Sequence, residues 1–125
     1  MKPMKILVVD DDDFLRALVK KALLSQGYKV MTSSNGLDAM GKLKNFSFDA
    51  IVTDNVIPYG GALPISEYLH QNAPQLPVLV ISGGMSPSAR LEDSSASIPA
   101  RHILYKPFKK DELLAALDSA VTAAA

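Results

Sequence analysis

Short β-type runs alternate with helical patterns along the whole chain, which indicates a sheet covered by helices. Strands are predicted at five runs: 6–9, 29–32, 50–53, 78–81 and 103–105. The runs at 6–9 and 78–81 are wholly apolar, which is typical of strands buried on both faces of a parallel sheet. Five strands alternating with helices predict a doubly wound α/β fold with right-handed crossovers.

Apolar residues at helical spacing predict the connecting helices. The core face predicted for the first helix carries Phe14, Leu15, Leu18, Val19, Ala22 and Leu23. Gly27 is expected at the C′ position just past that helix, and Ser34 or Asn35 is expected to cap the second. Ile65 and Leu69 mark the core face of a third helix.

The pattern weakens between residues 85 and 100. This segment is rich in serine, contains two prolines and has Leu91 as nearly its only large apolar residue. A helix there, the fourth in the chain, is expected to be short and poorly anchored. The last helix is predicted from the spacing of Leu113, Leu114, Leu117, Ala120 and Val121.

Polar residues directly follow four of the predicted strands. Asp10 and Asp11 follow the first strand, Asp54 the third, Ser82 the fourth and Lys106 the fifth. Ligands of doubly wound folds bind outside the carboxyl ends of the strands. We therefore expect three carboxylates, a hydroxyl and an amine to meet at one edge of the sheet.

Three carboxylates in one place repel one another unless a cation lies among them. Oxygen ligands alone point to Mg²⁺ or Mn²⁺, and a phosphoryl group would complete the coordination. Lys106 and Ser82 are suited to phosphoryl oxygens, and the nucleophile would be a carboxylate. The four aspartates at 10–13 also have a plainer interpretation, because acidic side chains are favourable at a solvated helix N-terminus.

Composition narrows the classes of protein further. The 125 residues carry 13 Lys+Arg against 13 Asp+Glu and no Cys. The length predicts one domain, and the zero net charge argues against a nucleic-acid binder. Without Cys there is no disulfide and no thiolate metal site. No apolar run approaches the roughly 20 residues of a membrane span. We therefore expect a cytoplasmic protein with no direct nucleic-acid or membrane partner.

Four segments in order resemble the receiver domain of two-component response regulators. They are I-L-V-V-D-D-D-D-F-L-R at 6–16, D-A-I-V-T-D-N-V-I-P at 49–58, V-L-V-I-S-G at 78–83 and Y-K-P-F at 105–108. The resemblance implies one receiver domain over residues 1–125, with its core at about 5–121. It also implies a flavodoxin-like, five-stranded parallel sheet with strand order 2-1-3-4-5 and helices on both faces.

For phosphoryl transfer, the resemblance implies three residues. Asp54 would be the phosphoacceptor for a histidine kinase or histidine phosphotransfer protein, and Ser82 and Lys106 would contact the phosphoryl group. Phosphorylation would alter the surface around the fourth helix, fifth strand and last helix, and so control binding of a downstream protein. The chain would assist its own phosphorylation and dephosphorylation without being an enzyme. The alternative is a receiver-like interaction module that acts independently of phosphorylation.

For the cation, the resemblance implies Mg²⁺. Asp11 and Asp54 would be direct ligands, the Val56 backbone carbonyl would be a third, and Asp10 would act through water. Asp12 and its neighbour at position 13 would start the first helix without a ligand role.

The chain departs from the receiver pattern at Ile103, because the family usually carries Phe or Tyr three residues before its lysine. Tyr105 shares the strand face of Ile103. We hypothesise that signalling uses ordering of the 85–100 segment instead; the alternative is that Ile103 is a core residue and the segment merely variable. Pro107 matches the family's cis-proline position, with an ordinary trans turn as the alternative.

Two other phosphate-related classes fit less well. The Asp10-x-Asp12 pattern superficially suggests a haloacid-dehalogenase-type phosphatase, but position 14 is Phe where that family needs Thr or Val. A flavodoxin-like cofactor binder would need a phosphate loop rich in Ser, Thr or Gly after the first strand. Four aspartates at that place would repel a phosphate.

Overall fold

A computed structural model of the chain describes residues 3–54, 62–82 and 102–124. The strands are β1 (Lys5–Val9), β2 (Lys29–Ser33), β3 (Ala50–Asp54), β4 (Val78–Ser82) and β5 (His102–Tyr105). They form one parallel sheet in the order β2-β1-β3-β4-β5. This confirms the predicted doubly wound α/β fold and its strand order.

The helices lie on both faces of this sheet. They are α1 (Asp13–Leu24), α2 (Gly36–Asn45), α3 (Ala62–Asn72) and the C-terminal helix (Lys110–Ala124). The helix predicted within 85–100 lies outside the described residues. In the parts of the chain that the structure describes, no helix has the length and apolar character needed to cross a membrane.

Two buried clusters hold the layers together, because successive side chains of a strand point to opposite faces. On one face, Ile6 and Val8 of β1 pack with Leu23 of α1 and Leu117 of the C-terminal helix. On the other face, Leu7 and Val9 pack with Ala39, Leu43, Ile65 and Leu69 from α2 and α3. The central strands are therefore buried on both sides, as their apolar runs predict.

The register of the sheet brings the strand ends to one level. Val9, the last residue of β1, is paired with Thr53 of β3. Asp54 then lies opposite Ile81 of β4, and Ser82 lies opposite Tyr105 of β5. The residues that end β3 and β4, and those that follow β1 and β5, consequently share the carboxyl edge of the sheet.

The N-caps of the first two helices agree with the sequence, whereas the C′ position predicted for Gly27 is wrong by one residue. Asp12 is the N-cap of α1, and its side chain accepts a hydrogen bond of 3.1 Å from the main-chain nitrogen of Leu15. Asn35, one of the two predicted candidates, caps α2, and its side-chain oxygen accepts a hydrogen bond of 2.8 Å from the main-chain nitrogen of Asp38. Gly27 lies two residues past the Ser25 cap of α1, not directly after it, with a φ of +84° that favours glycine.

The predicted core face of α1 is wrong at its N-terminal end. Phe14 is 77% exposed and Leu18 is 48% exposed, whereas Val19 and Leu23 are fully buried. A helix turns about 100° per residue, so residues four apart lie on one line. The line of Val19 and Leu23 faces the sheet, and the line of Phe14 and Leu18 faces solvent.

The exposure of the β5 side chains shows whether Ile103 is a core residue. Ile103 is 45% exposed and Tyr105 is 47% exposed. The interpretation of Ile103 as a core residue is therefore wrong, and the prediction that Tyr105 shares its strand face is confirmed. The two side chains lie next to each other on a strand at the edge of the sheet.

Candidate functional site

Three carboxylates meet at the carboxyl edge of the sheet. One oxygen from each of Asp10, Asp11 and Asp54 can be chosen so that all three lie within 4.8 Å of one another. The first two residues directly follow β1, and Asp54 ends the adjacent strand β3. The convergence predicted for these residues is confirmed.

Asp10 is held in place from three sides. It is 2% exposed, and its main-chain nitrogen donates a hydrogen bond of 3.0 Å to the carbonyl of Ser33 at the end of β2. Its Oδ1 accepts a hydrogen bond of 2.9 Å from the main-chain nitrogen of Asp12, and its main-chain carbonyl accepts one of 2.9 Å from Nη1 of Arg16. Asp10 is thus fixed to the neighbouring strand, to its own turn and to α1.

The environment of Asp10 opposes its negative charge. Burial raises the pKa of its carboxyl group from 3.8 to about 6, against the lowering effect of the Asp12 hydrogen bond. The value of about 6 includes the raising effect of the charges of Asp54 and Asp11 and the lowering effect of the charge of Lys106. A cation among the carboxylates would reverse the repulsion. The donor set fits Mg²⁺, which prefers carboxylate oxygens together with water.

Ser82 and Lys106 lie at the ends of the next two strands. Ser82 ends β4 and is 3% exposed. The main-chain nitrogen of Lys106 donates a hydrogen bond of 2.9 Å to the Ser82 carbonyl. The charge of Lys106 acts on the Asp10 carboxylate, so this amine belongs to the same electrostatic environment. The Lys106–Pro107 peptide bond is cis, as the family's pattern suggests. Val56 lies outside the described residues.

Two residues that contact the site were not singled out from the sequence. The Thr53 hydroxyl, 1% exposed, donates a hydrogen bond of 3.0 Å to the carbonyl of Asp54. Nη1 of Arg16 donates a hydrogen bond to the Asp10 carbonyl, although Arg16 is not among the residues of the predicted core face. The sequence did offer a signal for this contact: Arg16 follows Asp13, the last aspartate of the acidic run, by three residues, and residues three or four apart lie close together on a helix.

The sequence from residue 6 to residue 118 matches the family model of the response regulator receiver domain. The chain therefore belongs to this family, the receiver domains of two-component response regulators. Among curated proteins, response regulator MprA of Mycobacterium sp. (strain KMS) is 35% identical over 113 residues, which cover 90% of this chain and 48% of that protein. The chain spans about half the length of the curated relatives it matches.

Solved structures show the same fold. A response regulator receiver protein from Sinorhizobium medicae WSM419 matches with a TM-score of 0.83 and 27% identity, covering 99% of this chain and 98% of that one. The chemotaxis response regulator CheY4 of Vibrio cholerae matches with a TM-score of 0.81 and 27% identity, covering 95% of this chain and 99% of that one.

Proposed function

We propose that this receiver domain accepts a phosphoryl group on Asp54 in a Mg²⁺-dependent reaction. The observation that carries the proposal is the meeting of Asp10, Asp11 and Asp54 within 4.8 Å at one sheet edge, in the electrostatic reach of Lys106. Carboxylates gathered in this way favour a bound cation, and a cation next to a carboxylate favours phosphoryl chemistry. The receiver domain would occupy residues 1–125, with its core at about 5–121.

Transfer of the phosphoryl group to Asp54 would be a substitution at phosphorus. An oxygen of the Asp54 carboxylate forms a bond to the phosphorus of a phosphohistidine, and the phosphorus–nitrogen bond of the donor breaks. The bonding electrons stay on the imidazole nitrogen, so the donor is restored to histidine. Lys106 would pair with one phosphoryl oxygen as a point charge, and the Ser82 hydroxyl would donate to another. The chain assists a change to itself and does not turn over a substrate.

Asp11 and Asp54 would hold Mg²⁺ directly, Asp10 would hold it through water, and the Val56 carbonyl would be a further ligand. When bound, the ion neutralises charge on the carboxylates and on the phosphoryl oxygens. Asp10 is buried and held by three hydrogen bonds, so it would keep a fixed position in this site. Asp11 is exposed and Asp54 is half-buried, so both are more accessible to a phosphodonor than Asp10 is.

The phosphodonor would be a histidine kinase or a histidine phosphotransfer protein that docks beside this edge. Phe14, 77% exposed, lies in the first turn of α1, three residues after Asp11. Leu18, 48% exposed, lies one turn after Phe14 on the same helix and extends the apolar surface. Large apolar side chains exposed together are typical of protein contacts. Their continuity with the acidic edge supports the phosphodonor as their partner.

The output would be a change in binding of a downstream protein. Ile103 and Tyr105 are half-exposed on β5, which follows in sequence the segment 85–100 that we expect to respond to phosphorylation. The second candidate function is an interaction module that works without phosphorylation, and the absence of the usual aromatic residue at position 103 favours it. The acidic cluster has no role in that second function.

Intact mass after incubation with Mg²⁺ and acetyl phosphate distinguishes the two functions. We expect the wild-type chain to gain the mass of one phosphoryl group and Asp54→Asn to gain none. Asp49→Asn is the matched control, because Asp49 directly precedes the opposite end of β3 and its substitution should leave the gain unchanged. No gain in the wild-type chain, or a gain that survives Asp54→Asn, contradicts the proposed function.

A further inference from the structure

Arg16 contacts both ends of the turn that carries the acidic residues. Its Nη1 donates a hydrogen bond of 2.9 Å to the main-chain carbonyl of Asp10, and its Nη2 donates one of 2.6 Å to Oδ1 of Asp13. The Arg16 side chain is 21% exposed, whereas that of Asp13 is 88% exposed. A single planar guanidinium therefore joins the residue that follows β1 to the first turn of α1.

The bond to the Asp10 carbonyl is the one that bears on the site. The nitrogen of Asp10 is already bonded to Ser33, so Arg16 fixes the other end of the same residue. Because a peptide group is planar, a carbonyl held at Asp10 also sets the nitrogen and Cα of Asp11. Asp11 is exposed, and its direction depends on this peptide plane more than on packing.

We propose that Arg16 is a positioning residue for the cation site. Its two-armed contact holds the 10–13 turn in the geometry that brings Asp11 to Asp10 and Asp54 before a cation binds. The inference rests on the proposed function, because it requires that these carboxylates hold a divalent cation. Groups that orient metal ligands without touching the metal typically contribute about tenfold to a hundredfold in affinity.

A purely electrostatic role for Arg16 predicts the opposite sign. Its guanidinium is a positive charge close to a cation site, so it repels Mg²⁺, and its removal would tighten Mg²⁺ binding. A positioning role predicts that removal weakens Mg²⁺ binding. The direction of the change therefore separates the two roles.

The test is the Mg²⁺ dissociation constant of the full chain, measured by following amide chemical shifts during titration with MgCl₂. We expect Arg16→Gln to weaken binding about tenfold. Arg16→Lys should weaken it by nearly as much, because an ammonium group keeps the charge but lacks the planar fork. Lys20→Gln is the matched control: it removes one positive charge from an exposed position of α1 and should not weaken binding.

A second measurement needs no metal. In the metal-free protein, the Asp12 amide donates to Oδ1 of Asp10, and this bond depends on the turn that Arg16 holds. We expect faster hydrogen exchange at Asp12 in Arg16→Gln than in Lys20→Gln or the wild type. Equal exchange in all three would contradict the positioning role.

The outcomes for the inference and for the proposed function are distinct. Equal or tighter Mg²⁺ binding by folded Arg16→Gln overturns the role of Arg16 and leaves the proposed function intact. If the wild-type chain binds no Mg²⁺, the proposed function itself fails. Should Arg16→Gln not fold, Arg16→Lys decides the question, since it keeps the long apolar stem and the charge.

Discussion

The main-chain nitrogen of Lys106 donates a hydrogen bond of 2.9 Å to the carbonyl of Ser82. Ser82 ends β4 and Lys106 follows β5, so this bond joins the two residues proposed to contact the phosphoryl group. On the other side of β4, Asp54 lies opposite Ile81. The proposed phosphoacceptor and its two phosphoryl-binding residues are thus positioned by three adjacent strands.

Lys106→Met should slow phosphorylation without disturbing the fold. The backbone bond to Ser82 does not involve the side chain, whereas loss of the amine removes a positive charge from the phosphoryl oxygens. Removing one such group from a transition state typically costs about a hundredfold or more in rate. We expect a loss of this order in the initial rate with acetyl phosphate. Lys109→Met, at an exposed position nearby, is the control, and equal rates in both variants would contradict the role of Lys106.

Asp10→Asn should stabilise the metal-free protein at neutral pH. Burial raises the pKa of Asp10 in the folded chain to about 6 from 3.8, so between these values the folded state binds more protons than the unfolded state. The free energy of unfolding of the wild type therefore falls as pH rises from about 4 to about 6. A shift of about two pKa units corresponds to at most about 3 kcal/mol.

Urea denaturation in EDTA measures this effect. The wild type and Asp10→Asn should have similar stabilities near pH 4, and the variant should become more stable by about 1–3 kcal/mol above pH 6. Asn keeps an oxygen that can accept from the nitrogen of Asp12, so the turn retains its hydrogen bond. A variant that is less stable than the wild type at pH 7 would refute the interpretation.

Phe14→Ala should impair phosphorylation by a protein donor only. The Phe14 ring is 77% exposed, so its removal costs the fold little, while a buried aromatic contact in a complex is worth more than about 1 kcal/mol. With a phosphorylated histidine kinase that transfers to the wild-type chain, we expect about tenfold slower transfer. Transfer from acetyl phosphate should be unchanged. Leu37→Ala, at a residue of α2 that is 69% exposed, is the control, and a similar loss there would argue against a specific contact at α1.

Residues 85–100 should exchange their amide hydrogens more slowly when the site carries a phosphoryl mimic. The half-exposed Ile103 takes the place of the family's usual aromatic residue, so we expect ordering of this segment to carry the signal. Hydrogen exchange with Mg²⁺ and beryllofluoride, compared with Mg²⁺ alone, measures the effect. Asp54→Asn should show no difference. Equal exchange rates in the wild-type chain under both conditions would rule out the ordering hypothesis.

The central strands could be predicted because parallel strands buried on both faces leave a plain apolar signal, whereas their order in the sheet followed from the resemblance to receiver domains. The runs at 6–9 and 78–81 lie within one residue of β1 and β4. The meeting of Asp10, Asp11 and Asp54 also followed from sequence, since parallel strands present their carboxyl ends at one edge. The common direction of the parallel strands determines this meeting of the three carboxylates.

The wrong or missing predictions concern features that tertiary contacts determine. Helical spacing placed Phe14 and Leu18 among the core residues, but spacing alone does not reveal which of two neighbouring lines faces the sheet. The role of Arg16 depends on a turn that brings the Asp10 carbonyl back to α1, which no periodicity encodes. The predictions for Val56 and for the helix within 85–100 fall outside the described residues and stay predictions.

The most direct test of the central claim is the position of the phosphoryl group in the chain. Borohydride reduction converts an aspartyl phosphate to homoserine, which peptide mass spectrometry can locate. After incubation with Mg²⁺ and acetyl phosphate, we predict homoserine at position 54 and an unmodified peptide across residues 10–13. Homoserine within 10–13, or none anywhere in the chain, would contradict the assignment of Asp54 as the phosphoacceptor.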